Sequence, residues 1–314
     1  MSGGAPRGRR RVLFLYNVPD WAIHNVGRDW AALLADSHEF TLARFGRHEA
    51  EDPAAYDYVV WGYSTLRYSG RMLAGSLSRR PLAWARWRRA IPNLAAVVQD
   101  PSEVFPEVAG WKRAAPRTAH LSRFSRLAVT SNEMRDALGA AGIAATKVNT
   151  RSLLPARDPG TIAAEPLRAV TRAIEYPRKN LALFRAVRAR VAGAVERFDE
   201  LLGRGVLAPA AYAARLDGYN CYVCTSWQEG GPLPLMDAQR RGCVVLTTRV
   251  GQTDERVEDG VNGFFCDDAE SFERRLRQLA ADPELLRRMR LAALERAGAP
   301  DEARVRAQLQ EFLP

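Results

Sequence analysis

The stretch Cys221–Gly242, CYVCTSWQEGGPLPLMDAQRRG, decides the fold class because it joins three kinds of local structure without a break. Cys221–Thr225 is a short apolar run of the kind that forms a buried parallel strand. It leads into a loop that contains two adjacent glycines and two prolines. After this loop, Leu235–Arg241 has the pattern of a helix. This order of strand, loop and helix is the repeating unit of a doubly wound α/β domain.

The same alternation continues on both sides of this stretch. Further buried strands are predicted at Val12–Tyr16, Tyr58–Trp61, Leu94–Val98, Leu127–Thr130, Leu167–Ile174, Cys243–Thr247 and Gly263–Cys266. Helices are predicted at Val26–Ala35, from the N-cap Ser131 to Gly142, at Leu181–Val195, Leu276–Leu279, Leu285–Ala297 and around Arg304–Phe312. Residues 155–166 contain three prolines and a glycine with little periodicity, which is typical of a linker.

We therefore predict an α/β protein with two Rossmann-like doubly wound domains that face a central cleft. The first spans residues 1–157 and the second residues 158–297, and a C-terminal helix at about 298–314 is a candidate to pack back on the first. Residues 187–215 have a largely helical pattern, and no strand with a glycine turn is evident among them. The sequence thus predicts that one strand–helix unit of the second domain is missing or reduced.

Composition narrows the class of protein. The chain has 314 residues and 47% hydrophobic residues, and it contains no apolar run near the ~20 residues of a membrane span. The apolar run Val12–Tyr16 is shorter than the ~7–15 residues of an export signal, so a cytoplasmic protein is expected. Cys221 and Cys224 lie three apart in a strand and point to opposite faces, so we expect buried side chains rather than metal ligands.

The loop after Cys221–Thr225 has the residues that bind a diphosphate. Glycines allow the backbone to approach a ligand, and the helix that follows offers N–H groups and partial positive charge. Carboxylates at Glu229 and, eight residues later, Asp237 can accept hydrogen bonds from sugar hydroxyls. Arg172 at a strand end and Lys179 at the start of the following helix supply cations at the same sheet edge, with Arg178 as a substitute. Taken alone, each of these charged residues is more often a solvated surface residue. The whole set in this order is a much more specific indication of a phosphate site.

Residues 225–289 resemble the donor-binding region of retaining GT-B glycosyltransferases, in particular the large family four with its E-x7-E motif. Arg172–Asn180 resembles the Arg…Lys-Asn/Gly element of that family. Asp237 stands where the family usually has Glu, and Gln99–Asp100 stands at a strand end where a His is often found. The spacing between Lys179 and Glu229 is short for the family.

This resemblance implies a role for each matched residue. Arg172 and Lys179 bind the diphosphate, and Glu229 contacts the donor sugar in a pocket lined by Gly230 and Gly231. The amides of Leu235 and Met236 cap a phosphate, and Asp237 binds the ribose hydroxyls. The implied donor is a nucleotide-diphosphate sugar, with no cofactor and no metal. The resemblance also implies transfer with retention of configuration, in which the leaving phosphate deprotonates the acceptor.

Two residues of the first domain are further catalytic candidates. His24 lies on the first loop expected to face the cleft, and Asp100 follows a predicted strand. A lone histidine is more often hydrogen-bonded or exposed than catalytic, and a structural role for Asp100 is an equal alternative.

Positive charge is concentrated in the first domain. The net charge is +10, and residues 67–126 alone contribute +9 from twelve Arg/Lys and three Asp/Glu. Within this segment five arginines alternate with two tryptophans, and these residues form a candidate acceptor or anionic surface: Arg79, Arg80, Trp84, Arg86, Trp87, Arg88 and Arg89. A surface helix with inward tryptophans, a patch for anionic lipid headgroups and a nucleic-acid surface all fit this pattern.

Three functions of different classes follow. The leading one is a glycosyltransferase, hexosyl or pentosyl, that acts on a polysaccharide, lipid-linked or natural-product acceptor, either free in the cytoplasm or peripheral at a membrane. In the second, the acceptor is a hydroxymethylated DNA base held by the basic surface. In the third, the protein binds nucleotide sugars or nucleic acid without turnover. The sequence leaves the sugar, the nucleotide, the acceptor and the oligomeric state open.

Overall fold

The computed structural model describes residues 8–20, 22–45, 51–62, 89–105, 121–122, 124–172, 176–201 and 209–314. The chain divides into two compact units. The first contains Met1–Val148 together with Arg306–Pro314, and the second contains Asn149–Val305. Among the described residues, no helix has the length and apolar character needed to cross a lipid bilayer.

The first unit is built on a parallel sheet. Its described strands are β1 (Arg10–Tyr16), β2 (His38–Arg44), β3 (Tyr58–Trp61), β4 (Leu94–Val98), β5 (Arg126–Val129) and β6 (Thr146–Lys147), and its helices are α1 (Ala22–Leu33) and α2 (Asn132–Ala140). The strands pair in parallel in the order β2-β1-β3-β4-β5-β6. Strands β3 and β4 have the predicted bounds, because both are buried on both faces and read as continuous apolar runs. Ser131 caps α2 as predicted, since its hydroxyl accepts from the N–H of Met134 at 3.2 Å.

The last residues of the chain belong to the core of the first unit. The ring of Phe312 lies 5.6 Å from the ring of Trp30 on α1. The carbonyl of Leu313 lies 3.0 Å from the Nε2 atom of His38, and the hydroxyl of Tyr58 donates to the carbonyl of Pro314 at 2.9 Å. The last residues therefore pack against α1, β2 and β3.

The second unit repeats the alternation. Its strands are β7 (Arg168–Thr171), β8 (Arg197–Glu200), β9 (Cys221–Cys224), β10 (Val244–Thr247) and β11 (Gly263–Phe265). Its helices are α3 (Leu181–Arg190), α4 (Pro209–Leu216), α5 (Leu233–Arg240), α6 (Thr253–Arg256), α7 (Ala269–Ala281) and α8 (Pro283–Arg296), and α9 (Ala299–Phe312) begins in this unit and ends in the first. The prediction of an α/β chain with two Rossmann-like units is confirmed.

The second sheet has the strand order β11-β10-β9-β7-β8, and its strands are all parallel. The chain leaves β7 toward β8 on one side and returns to β9 on the other, so the winding direction reverses between β7 and β9. Open α/β sheets bind ligands at the carboxyl ends of the strands at such a reversal. On this sheet Cys221 packs in the core of one face and Cys224 in the core of the other, as predicted from their spacing.

The prediction that residues 187–215 are largely helical was wrong, because a strand lies among them. That the second domain lacks a further strand–helix unit stays a prediction. Strand β8 pairs in parallel with β7, and helix α4 follows it. The hydrophobic pattern of the sequence does not predict strand β8, because three of its four residues are charged. It is an edge strand on which Phe198 packs against the core while Glu200 forms an ion pair with Arg185 at 3.1 Å.

Candidate functional site

A recess opens at the carboxyl edge of the second sheet, where the winding direction reverses. Arg172 follows β7 directly, and Thr225 and Ser226 follow β9. The recess is lined by Thr171, Arg172, Lys179, Leu181, Tyr222, Cys224, Thr225, Ser226, Glu229, Pro232 and Pro234. Three of the predicted donor residues, Arg172, Lys179 and Glu229, are thus brought to one place from two loops.

The turn that carries Lys179 is tied to the loop after β9. Asn180 adopts a left-handed conformation with φ of 49°, which ends the turn and starts α3. The hydroxyl of Thr225 donates to the carbonyls of Lys179 and Asn180, at 3.2 and 3.1 Å. Trp227 adds two bonds, from its backbone N–H to the carbonyl of Arg178 at 2.9 Å and from its indole N–H to that of Pro177 at 2.8 Å. These bonds fix the two loops against each other.

Glu229 is at the centre of this site. Its Oε1 atom lies 2.5 Å from the ammonium of Lys179 and accepts from the hydroxyl of Ser226 at 2.6 Å. Its Oε2 atom lies 3.9 Å from the guanidinium of Arg178. The side chain of Glu229 is only 5% exposed, so this carboxylate is held by charge and hydrogen bonds rather than by water. A diphosphate that binds Lys179 therefore has to compete with Glu229 for the ammonium.

Arg172 lies at the other end of the recess. Its backbone N–H donates to the hydroxyl of Tyr222 at 3.3 Å, which holds the strand end in place. Its guanidinium carbon lies 5.3 Å from the ring centroid of Tyr212 on α4, within the range of a cation–π contact. Burial raises the pKa of Tyr212, with a further rise from the nearby Asp237, while Arg172 lowers it. Arg172 and Asp237 thus share the tyrosine as a neighbour.

The glycine loop is closely packed. Gly251 has φ of 59°, and a Cβ there would lie 2.6 Å from the carbonyl oxygen of Gly230 and 2.9 Å from that of Glu229. A Cβ on Gly231 would lie 2.5 Å from Thr150 Oγ1 and 2.6 Å from Gln252 Nε2. Gly231 and Gly251 are therefore required where backbone and side chains approach without space for a methyl group.

The N–H groups in the first turn of α5 already donate to nearby backbone carbonyls. The amide of Leu235 donates to the carbonyl of Pro232 at 2.9 Å, and that of Met236 donates to the same carbonyl at 3.3 Å. The Leu233 amide donates to the Gly231 carbonyl at 2.8 Å. A phosphate that binds the amides of Leu235 and Met236 must share or displace these bonds, and their role as phosphate caps stays a prediction.

Asp237 is held from the start of the second unit. Its Oδ1 atom accepts from the hydroxyl of Ser152 at 2.6 Å. Burial raises the pKa of Asp237 from its ordinary 3.8 to about 6, although the hydrogen bond from Ser152 and the charge of Arg172 act in the opposite direction. The carboxylate therefore titrates near pH 6. Any further hydrogen-bond donor would stabilise its ionised form.

The two catalytic candidates of the first unit lie on a helix and after a strand. The Nδ1 atom of His24, on α1, accepts from the backbone N–H of Asp20 at 2.9 Å, and burial lowers the pKa of His24. In a neutral ring that accepts at Nδ1, the proton is on Nε2. Asp100 follows β4, and its carboxylate accepts from the N–H of Ser102 at 3.0 Å in the capping of a short turn. The catalytic roles of both residues stay predictions.

The predicted basic surface falls almost entirely outside the described residues. Only Arg89 is among them, and it is exposed. Arg79, Arg80, Trp84, Arg86, Trp87 and Arg88 lie outside them. In the part of the chain that the structure describes, no group of three or more His, Cys, Asp or Glu side chains is placed to hold a metal ion.

Sequence reasoning did not identify several residues that shape this site. They are Thr150, Ser152, Tyr212 and Gln252. Each is an isolated polar or aromatic residue outside any motif. Thr150 and Ser152 reach the site from one segment, Tyr212 from α4 and Gln252 from the N-cap of α6. Tyr212, on the helix before the motif strand, was hidden by the wrong interpretation of residues 187–215.

Comparison with known proteins gives one family match. Residues 209–296 match the family model described as glycosyl transferases group 1. This span begins at α4 and includes Glu229, the glycine loop and Asp237. A search of curated protein sequences found no significant match.

Solved structures match the chain over almost its whole length. HepE from Anabaena, in complex with UDP and glucose, is 16% identical, with 97% of this chain and 99% of that chain covered and a TM-score of 0.68. Sucrose-phosphate synthase from Thermosynechococcus elongatus is 14% identical, with 97% and 98% covered and a TM-score of 0.70. TarM from S. aureus, in a complex that contains UDP, is 13% identical, with 81% and 55% covered and a TM-score of 0.61.

The fold is GT-B. The two parallel-sheet units and the likeness to these structures establish it. The match of residues 209–296 adds that the second unit resembles the glycosyl transferases group 1 domain.

Proposed function

We propose that this protein transfers a sugar from a nucleoside diphosphate sugar to an acceptor hydroxyl with retention of anomeric configuration. The observation that carries the proposal is the convergence of Arg172, Lys179 and Glu229 on one recess at the reversal point of the second sheet. Two cations beside a nearly buried carboxylate fit a donor whose diphosphate and sugar lie side by side. HepE from Anabaena, which shares the fold, was solved with UDP-glucose, so UDP-sugars are the first donors to test.

The reaction needs charge stabilisation more than it needs a nucleophile. The bond between the anomeric carbon and the β-phosphate oxygen breaks, and the acceptor oxygen forms a bond to the same carbon from the same face. The proton of the acceptor hydroxyl passes to the departing phosphate. Arg172 and Lys179 would neutralise the negative charge that grows on the diphosphate, which is the largest contribution that a preorganised site can make. Glu229, freed from Lys179, would hold the sugar hydroxyls.

The test begins with a thermal-shift panel of UDP-, GDP- and dTDP-sugars. We expect one nucleotide to raise the melting temperature of the wild-type protein, because a ligand that binds only the folded state stabilises it. In Lys179→Gln, affinity for that nucleotide should fall about 10- to 100-fold, since a hydrogen bond between charged groups is lost. Arg277→Gln is the matched control, because Arg277 forms an ion pair with Glu273 at 3.0 Å on α7, outside the recess.

Turnover of the donor distinguishes an enzyme from a protein that only binds nucleotide sugars. Slow hydrolysis of the bound donor by wild type, lost in Glu229→Gln and retained in Arg277→Gln, supports transfer. Binding without hydrolysis, and without transfer to any acceptor, would favour a nucleotide-sugar binding protein instead. If no nucleotide sugar changes the melting temperature, the proposal fails.

The acceptor is proposed to be a polysaccharide, lipid-linked or natural-product glycoside with anionic character. The charge of +9 within residues 67–126 carries this part of the proposal. The same charge suits DNA with hydroxymethylated bases, and salt dependence distinguishes the two. Affinity for duplex DNA that falls by several powers of ten per tenfold rise in salt would favour the DNA acceptor. Donor turnover that is independent of DNA would exclude it.

A further inference from the structure

The hydroxyl of Ser152 is directed at Asp237 by its own hydrogen bonds. Its oxygen accepts from the backbone N–H of Leu154 at 3.1 Å and donates to Asp237 Oδ1 at 2.6 Å. Because the oxygen accepts a hydrogen bond from the backbone N–H, the hydroxyl is oriented so that its own O–H donates to the carboxylate. Ser152 is 9% exposed, so water competes little for this bond.

Ser152 lies in the segment with which the chain enters the second unit, four residues after Val148. This segment is held in place at Thr150, two residues before the serine. The carbonyl of Thr150 accepts from the guanidinium of Arg256 at 2.5 Å, and its hydroxyl accepts from the amide of Gln252 at 2.9 Å. The entry segment, residues 149–154, therefore contacts both the glycine loop and Asp237.

Two other groups lie near Asp237. Arg172, at the end of β7, lowers the pKa of its carboxyl, and burial raises that pKa. Tyr212, on α4, is close enough for Asp237 to contribute to the raised pKa of the tyrosine, after burial. Arg172 is the cation that a diphosphate would bind, whereas the hydroxyl of Ser152 forms its hydrogen bonds, among the described residues, with Asp237 and Leu154.

We propose that Ser152 is a positioning residue for the donor nucleotide, whose hydroxyl holds the Asp237 carboxylate ready to accept hydrogen bonds from the ribose diol. This inference rests on the proposed function and goes beyond it, because it makes the entry segment part of the nucleotide site. Loss of the Ser152 hydrogen bond would weaken nucleotide binding through Asp237, while Arg172 and Lys179 remain in place to bind the diphosphate.

The pH dependence of binding follows from the same geometry. An ionised carboxylate accepts hydrogen bonds from a diol more strongly than a protonated one. In wild type the pKa of Asp237 is raised by burial to about 6, so the ribose contribution weakens as the pH falls through about 6. Without the Ser152 hydrogen bond the pKa of Asp237 is higher, and the weakening begins at higher pH.

The experiment measures the affinity of UDP, and of GDP and dTDP if UDP fails, between about pH 5 and 8 for wild type, Ser152→Ala and Ser152→Thr. The same ligand is used for every variant, so that titration of the ligand phosphates cancels in the comparison. We expect the midpoint of the pH profile in Ser152→Ala to move upward by about one pH unit, the effect of one hydrogen bond to a charged group. Ser152→Thr keeps the hydroxyl and should restore the wild-type midpoint.

Two further measurements isolate the ribose contact. Pyrophosphate has no ribose, so its affinity should be the same in wild type and Ser152→Ala at every pH. In the Asp237→Asn background, which has no titrating carboxyl, Ser152→Ala should not move the midpoint at all.

An unchanged midpoint in Ser152→Ala would overturn the inference while the proposed function stands. A loss of UDP and pyrophosphate affinity by the same factor at all pH values, together with a lower melting temperature, would also overturn it and assign Ser152 a structural role. If no nucleoside diphosphate binds wild type at any pH, the proposed function itself fails and this inference fails with it.

Discussion

The guanidinium of Arg256 lies 2.8 Å from the carboxylate of Asp301, and the two side chains are only 3% and 4% exposed. Arg256 also donates to the carbonyl of Thr150, in the entry segment, and Asp301 accepts a second ion pair from Arg304 at 2.6 Å. Burial lowers the pKa of Arg256, whereas the charge of Asp301 raises it. This buried pair joins α6, α9 and the entry segment within the second unit.

We predict that Asp301→Ala lowers the free energy of unfolding by about 3–5 kcal/mol, because it leaves the buried guanidinium of Arg256 without a counter-charge. Urea unfolding at neutral pH measures the change. Glu302→Ala is the matched control, since Glu302 is 56% exposed and pairs with Arg151 at 2.9 Å. An exposed pair of this kind contributes about 0–1 kcal/mol. Equal effects of the two substitutions would contradict the prediction.

Most of the fold could be predicted from the sequence because its strands are buried on both faces. Tyr58–Trp61 and Leu94–Val98 are continuous apolar runs, and both form strands with the predicted bounds. Edge strands give no such signal. Strand β2, His38–Arg44, is mostly half-buried and mixes charged with apolar residues, and β8 is largely charged. Periodicity detects burial, and these two strands are buried on one side at most.

The candidate site could be predicted in part for a related reason. Arg172, Lys179 and Glu229 stand at strand ends or in the motif loop, where the position in the sequence fixes the sheet edge on which they lie. Ser152 reaches Asp237 across 85 residues of sequence, and no local pattern specifies such a contact. The raised pKa of Asp237 is likewise a product of burial, which only the packed structure creates.

Gly231→Ala should destabilise the protein and weaken nucleotide binding. The added Cβ would lie 2.5 Å from Thr150 Oγ1 and 2.6 Å from Gln252 Nε2, so the loop or the entry segment must shift. Overpacking of this kind costs about 1–3 kcal/mol. Urea unfolding gives the stability change, and a UDP thermal shift gives the loss of binding.

Gly139→Ala is the control for that substitution. Gly139 lies within α2, and a Cβ there would meet nothing within 4 Å. Alanine should therefore stabilise the helix by about 0.5–1 kcal/mol and leave nucleotide binding unchanged. A Gly231→Ala variant that behaves like Gly139→Ala would show that the glycine loop has more room than the structure indicates.

Tyr212→Phe should leave the free energy of unfolding unchanged or raise it by up to about 1 kcal/mol. Among the described residues, no group lies in good hydrogen-bond geometry with the buried hydroxyl of Tyr212, and Arg172 is only a weak partner, so removal of the hydroxyl removes a desolvation penalty that is poorly compensated. Tyr219→Phe is the matched control, because the hydroxyl of Tyr219 donates to Asp199 at 2.7 Å. That variant should lose about 0.5–1.5 kcal/mol. Urea unfolding of both variants checks the sign, and a loss in Tyr212→Phe as large as in Tyr219→Phe would contradict it.

Asp237→Asn should stabilise the protein at neutral pH while it weakens nucleotide binding. Burial raises the pKa of Asp237 from 3.8 to about 6, so the folded state binds the proton more tightly than the unfolded state. The stability that this proton provides is present below about pH 4 and is lost as the pH rises through about 6. Asparagine never ionises, and it retains an oxygen that can accept from Ser152.

The difference in unfolding free energy between Asp237→Asn and wild type should therefore grow from near zero at about pH 4 to at most about 3 kcal/mol at pH 7.5. Urea unfolding at several pH values measures it, with Asp254→Asn as a surface control whose side chain is 62% exposed and pairs with Arg249. A variant less stable than wild type at pH 7.5 would mean that the ionised carboxylate gains more from Ser152 and Arg172 than it loses by burial. We expect a gain in stability together with a loss of nucleotide affinity. This result would show that Asp237 contributes to ligand binding although its buried carboxylate destabilises the fold.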